Sequence, residues 1–313
     1  MRLAFYGNFG CSYSSESHHA ASLESLGHEV IRVQEPERNI RRLIEVASGP
    51  LDMFVWVKTH GWETPGMEQV IQVLRDRRIP VVSYHLDLYL PIAERWARYR
   101  NDPYMMGLDH FFTVDPKMAD WLNENTPVRG HFIPAGVYDR ECYISELPSP
   151  HANDVVFVGS KNYHDMWKWR PELIAWLRAT YGDRFTHVGG DGDTGTLRGE
   201  ELNRMYANSK VAVGDTLCPD FDYPFYASDR LFEAPGRGAF QIFPRITGID
   251  TWFNGTMKFF EYGDFDGLKE LIDYYLIHDE ERELLRRKCH EHVKTYHTYV
   301  QRWETILKTV VPC

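Results

Sequence analysis

The 313-residue sequence has little of what marks several common function classes. Its five cysteines, Cys11, Cys142, Cys218, Cys289 and Cys313, are scattered, and no two stand at metal-ligand or redox spacing. A disulfide framework and a zinc site are thereby disfavoured, and reduced thiols are expected. No apolar run approaches the length that crosses a bilayer. The opening residues MRLAFYG read as a strand rather than as a leader peptide, so a cytoplasmic protein is expected. An excess of basic charge is missing too: 35 Lys and Arg against 45 Asp and Glu give a net charge of -10. That balance disfavours a grip on a nucleic-acid backbone, although a local basic cleft stays compatible with it. Two glycine signatures are absent. No segment has P-loop spacing, and Gly7-Asn8-Phe9-Gly10 lacks the third glycine of a dinucleotide fingerprint, which counts against a kinase and a dehydrogenase.

What is present is alternation. Short apolar runs at 2–6, 30–33, 51–57, 79–84, 110–114 and 131–133 alternate with helical patterns, as in a parallel sheet built of βα units. A proline-rich polar stretch, Leu147-Pro148-Ser149-Pro150-His151, then marks a boundary. After it the alternation restarts, with strands expected at 154–158, 185–188, 210–213, 239–243 and 257–260 and helices at 167–180 and 200–209. Residues 268–310 read as nearly continuous helix with a break near His278 and Asp279. The expected fold is α/β with two Rossmann-like domains, 1–150 and 151–295, followed by a closing helical segment, 296–313.

In open α/β sheets, ligands bind beyond the carboxyl ends of the strands. On the first domain those positions hold a long polar loop with Glu16, His18 and His19, then Lys58, Thr59, His60 and Gly61, then His85 and Asp87, then Asp115. On the second they hold Gly159-Ser160-Lys161 and Gly189-Gly190. The stretch 228–238 adds Ser228, Arg230 and Glu233 at the start of a helical turn. A helix N-terminus and a small glycine turn with a cation both suit a diphosphate, and a carboxylate one turn further in suits ribose hydroxyls. Lys58 and Lys161 also have the bland reading of solvated surface lysines. Trp167, Trp169 and Trp176 are expected to pack in a core, and His290, His292 and His297 are expected to be structural. No carboxylate or cysteine completes a metal set.

Four passages resemble the group 1 glycosyltransferases of the GT-B fold, in the branch of spore-maturation-type and phage-encoded enzymes. They are Ser14-Ser15-Glu16-Ser17-His18 with Leu26-Gly27-His28-Glu29-Val30, Val156-Phe157-Val158-Gly159-Ser160, Ser228-Asp229-Arg230-Leu231-Phe232-Glu233-Ala234 with Gly238, and His297-Thr298-Tyr299 with Arg302. The resemblance implies two Rossmann-like βαβ domains facing a central cleft, with the last helix crossing back to the first domain. It implies a nucleotide-sugar co-substrate, UDP being the expected nucleotide, held by Gly159, Ser160, Lys161, Gly189, Gly190, Ser228, Arg230 and Glu233. It also implies that no cofactor or metal is needed, since basic side chains neutralise the leaving diphosphate.

The sequence departs from the family at Phe225, where many relatives carry a second glutamate eight positions before the first. Stereochemistry is left open there, and an inverting reaction would draw a general base from Glu16, His18, His19 or Asp87. The acceptor is a hydroxyl on a protein, a glycan or a modified base. A nucleotide-sugar epimerase and a non-catalytic nucleotide-sugar-binding protein are the alternative readings.

Overall fold

A computed structural model of the chain describes residues 1–58 and 64–311. The chain forms two compact units, one of Met1–Pro134 with Tyr299–Cys313 and the other of Ala135–Thr298. In the first, strands β1 (Arg2–Gly7), β2 (Glu29–Gln34), β3 (Met53–Trp56), β4 (Val81–His85), β5 (His110–Thr113) and β6 (Arg129–Phe132) make one sheet. Its order is β2-β1-β3-β4-β5-β6 and every pairing is parallel. Helices α1 (Ser15–Ser25), α2 (Ile40–Ser48), α3 (Met67–Asp76), α4 (Ala93–Arg100) and α5 (Pro116–Asn125) connect these strands.

The second unit repeats the plan with β7 (Val155–Val158), β8 (Phe185–Val188), β9 (Val211–Val213), β10 (Gln241–Pro244) and β11 (Lys258–Phe260), ordered β11-β10-β9-β7-β8. These strands are also all parallel. Its helices are α6 (Trp169–Tyr181), α7 (Gly199–Asn208), α8 (Arg230–Gly236), α9 (Phe265–Ile277) and α10 (Asp279–Tyr296). The last helix, α11 (Tyr299–Val310), lies in the first unit. Every strand expected from the sequence is present, and Trp167, Trp169 and Trp176 pack as expected. Trp169 and Trp176 each stack on Phe265 with centroids 4.9 Å apart, and the Trp167 indole donates to Asp215 at 3.0 Å.

Two expectations shift. The chain divides after Pro134 rather than at the proline-rich stretch, because residues 141–147 are bound by α7. Asn203 donates to the carbonyls of Glu141 and Tyr143 at 2.9 and 3.0 Å, and Ser145 donates to Glu200 at 2.7 Å. The C-terminal helical run breaks twice, once at His278 as expected and again at His297, where α10 ends and the chain re-enters the first unit.

A parallel sheet must be covered on both faces. Ala4, Tyr6, Phe54, Trp56 and Phe111 point to one face, beneath Leu43 of α2, Val70 and Leu74 of α3, and Met118 and Leu122 of α5. The alternate residues Leu3, Phe5, Val55, Tyr84 and Phe112 point to the other, beneath Ala20 and Leu23 of α1 and Trp303 and Ile306 of α11. Trp303 is fully buried there. Trp303→Ala should therefore cost about 3–5 kcal/mol of stability, read from urea unfolding of the full chain. A loss under 1 kcal/mol would mean that α11 is not part of this core.

Candidate functional site

The carboxyl edge of the first sheet carries a cavity of about 330 Å³, walled by residues of α1, the ends of β3 and β4, and α4. Ser14 caps α1, its hydroxyl accepting the Ser17 N–H at 3.1 Å, so His18 and His19 are helical residues and not part of the polar loop. Gly7 lets this helix start close to β1; a Cβ there would lie 3.0 Å from Glu16 Cγ. Glu16 and His19 are buried and line the cavity, while His18 is half-buried and does not.

His19 is stacked on Tyr299 at 4.0 Å, and its Nδ1 accepts the Trp303 indole N–H at 3.2 Å. An indole only donates, so the neutral ring carries its proton on Nε2. Burial pushes this imidazole down to about 3. A base that weak is a poor proton acceptor near neutrality. His85 is the same kind of group: buried, 2.5 Å from the Tyr89 hydroxyl through Nδ1, stacked on Phe111 at 4.9 Å, and also lowered to about 3 by burial.

Asp87 is exposed on the cavity wall, 3.1 Å from Arg95. Arg95 and Arg98, three residues apart on α4, line it too. The sequence reading missed both, although their spacing on the helix just after Asp87 was the available signal. Lys58 is not a surface lysine. It is fully buried, sits at a left-handed backbone position with φ 62°, pairs with Asp102, and lies 4.4 Å from the Trp56 ring centroid. Asp115 is a buried helix cap, accepting the Met118 N–H at 3.1 Å. Thr59, His60 and Gly61 lie outside the described residues.

The second unit places its group at the carboxyl ends of β7 and β8. Gly159 has φ 147°, and the Arg230 guanidinium lies 3.4 Å from where a Cβ at Gly159 would stand. Gly189 closes against the same loop: its Cβ would fall 2.5 Å from the Gly159 carbonyl oxygen. Gly190 is exposed beside it. The expected backbone cradle is largely occupied. The Gly159 N–H donates to Val188 O at 2.8 Å, and the Lys161 N–H donates to both Asp191 oxygens at 3.0 and 2.9 Å. Ser160 and the Lys161 side chain are exposed.

The start of α8 is likewise engaged, since the N–H groups of Leu231, Phe232 and Glu233 donate to the carbonyls of Ser228 and Asp229 at 2.8–3.1 Å. Anion-binding capacity therefore rests on side chains. Arg230 is held charged: burial opposes this, but the neighbouring Asp229 and Glu233 raise its guanidinium above the usual value. The Ser228 hydroxyl is buried and has no hydrogen-bond partner among the described residues. Glu233 is half-buried, with one oxygen 3.9 Å from Arg237. Phe225 is exposed at φ 60°, its N–H bonded to Thr247 O at 2.9 Å. His290, His292 and His297 are structural, as expected: His290 contacts the Pro235 carbonyl at 3.3 Å, His292 the Trp252 carbonyl at 2.5 Å, and His297 stacks on Phe232 at 4.7 Å.

Residues 170–308 match the family described as glycosyl transferase-like, and that segment contains Ser228, Arg230 and Glu233. The chain is matched by that family over less than half of its 313 residues. Its whole length superposes on GT-B enzymes. HepE of Anabaena, in complex with UDP-glucose, matches at 13% identity and TM-score 0.65, covering 100% of both chains. An alpha-glucosyltransferase in complex with UDP-glucose and DNA containing an abasic site matches at 13% identity and TM-score 0.66, covering 99% of both. Sucrose-phosphate synthase of Thermosynechococcus elongatus matches at 14% identity and TM-score 0.58, covering 99% of both. The chain thus has the GT-B fold. No curated protein matches it by sequence. No described helix is long and apolar enough to cross a membrane.

The two buried imidazoles make stability pH-dependent. The unfolded chain binds their protons near 6.5, whereas folded His19 and His85 hold out to about 3, so the unfolded state binds more protons between those values. Stability is complete above about pH 6.5 and falls as pH drops. Each histidine should cost about 2 kcal/mol between pH 6.5 and 5. Urea midpoints across that range should fall, and His19→Gln should flatten the slope; an unchanged slope would show that His19 is protonated in the folded protein.

Proposed function

We propose that the protein transfers a sugar from a nucleotide-sugar, with UDP as the nucleotide, to a hydroxyl of an acceptor, without a metal ion. The observation that carries this is the grouping, inside the family-matched segment, of a charged Arg230 over Gly159 with the unpartnered Ser228 hydroxyl. Arg230, Ser228 and the exposed Ser160 and Lys161 hold the diphosphate, and Gly189 and Gly190 keep the loop open for it. Glu233 holds the ribose hydroxyls. Arg230 and Lys161 neutralise the charge that develops on the leaving diphosphate, the part a metal plays elsewhere.

The acceptor belongs to the first-unit cavity. Asp87 and Glu16 are the carboxylates there that could take its proton, while His19 and His85, as neutral rings, are suited to hydrogen bonding. We place the protein in the cytoplasm and in the branch of spore-maturation-type and phage-encoded enzymes on its sequence passages. DNA is kept as one acceptor class because a structural relative holds it.

UDP or a UDP-sugar should raise the melting temperature, and Arg230→Ala and Glu233→Ala should each weaken donor binding about 10- to 100-fold with the fold intact. Turnover should survive EDTA. If none of the UDP-, GDP- or dTDP-sugars binds or is consumed, the reading fails. Conversion of the donor with no acceptor present would favour an epimerase, and binding without turnover a non-catalytic protein.

A further inference from the structure

A second cavity, of about 430 Å³, lies at the opposite edge of the first sheet, where β4, β5 and β6 begin at Val81, His110 and Arg129. Arg75, Arg78 and Arg129 line it, with one carboxylate, Asp109. Asp109 is committed elsewhere, its Oδ2 accepting the Val81 N–H at 2.8 Å. None of the three arginines makes an ion pair with a carboxylate among the described residues. Arg2, Arg32, Arg42 and Arg95 of the same unit all do. Among the described residues, Arg75 alone of the three has a side-chain hydrogen bond, to the Met106 carbonyl at 3.5 Å. His110, buried in the wall and 2.9 Å from His131, is neutral, since burial pushes it down to about 4. The cavity therefore holds a surplus of positive charge in a chain of net charge -10.

The backbone adds an independent observation. Helix α3 ends with the Arg78 N–H donating to Arg75 O at 3.0 Å and the Ile79 N–H to Leu74 O at 2.9 Å. That closure needs one left-handed residue just past the helix, a place glycine fills best. Here it is Arg78, at φ 56°. An arginine there carries a backbone strain that glycine would not, and its side chain lines the cavity.

We propose that Arg75, Arg78 and Arg129 form a phosphoryl-binding site, separate from the donor site, taking a phosphate mono- or diester group. A guanidinium fork matches phosphate oxygens in geometry and charge. The group could belong to a soluble phosphorylated ligand or to a lipid headgroup.

The test uses the full chain at low salt with pyrophosphate as the soluble probe, and vesicles of phosphatidylcholine with phosphatidylglycerol as the lipid probe. Pyrophosphate at about ten times its dissociation constant should raise the melting temperature by about 2 °C. That rise should persist in Arg230→Ala, which disables the donor site, and vanish when Arg78→Gly/Arg129→Gln is added to Arg230→Ala. Arg78→Gly alone should melt higher than wild type without ligand, so loss of binding would not reflect loss of folding. Vesicle co-sedimentation that the double variant abolishes would assign the lipid source. A pyrophosphate shift lost in Arg230→Ala, or one that survives in the triple variant, or no response to either probe, would overturn the proposal.

Discussion

A parallel sheet has two faces to hide, and residues 1–134 cover one of them well and the other only in part. The uncovered part is closed by Trp303 and Ile306, which arrive from the far end of the chain. This requirement explains why the chain leaves the first unit at Pro134, builds a second one, and returns at Tyr299. It also fixes the surroundings of His19. The indole that fills the core is the one that donates to His19 Nδ1, and the tyrosine that opens α11 is the one stacked on its ring. Core packing and the chemistry of the cavity wall are thus set by the same helix.

The glycines of the second unit express a related constraint. The ends of β7 and β8 approach so closely that a methyl group at Gly189 would collide with the Gly159 carbonyl oxygen. The same approach lets the Arg230 guanidinium settle over Gly159. With most nearby N–H groups already bonded within the protein, phosphate recognition at this edge falls to an arginine and a hydroxyl. Side chains can be removed one at a time, which makes the assignment unusually open to mutagenesis.

The strands were legible in the sequence because short continuous apolar runs between turn residues mark strands buried on both faces, and all eleven came out within about two residues of where the pattern placed them. The boundary was not. Proline-rich composition marks a loop, but Glu141, Tyr143 and Ser145 are bound by α7 through contacts that composition cannot register. The turn at His297 lies beside the start of the closing segment expected from 296, among Thr295, Tyr296, Thr298 and Tyr299, which are weak helix formers. At the site, the residue types at the strand ends were readable, while their states were not. Lys58 looked like a solvated lysine, and is buried against Asp102 and Trp56. His19 looked like a base, and burial makes it a poor one.

This last contrast bears on mechanism. A histidine that stays neutral down to about pH 3 offers a substrate a fixed pattern of hydrogen bonding throughout the physiological range. Proton transfer, if the acceptor hydroxyl needs it, then falls to a carboxylate. Of the two at the cavity, Glu16 is buried and Asp87 is exposed beside Arg95, 3.1 Å away. The buried histidines are rigid elements of the cavity wall, each fixed by stacking and by a hydrogen bond through Nδ1.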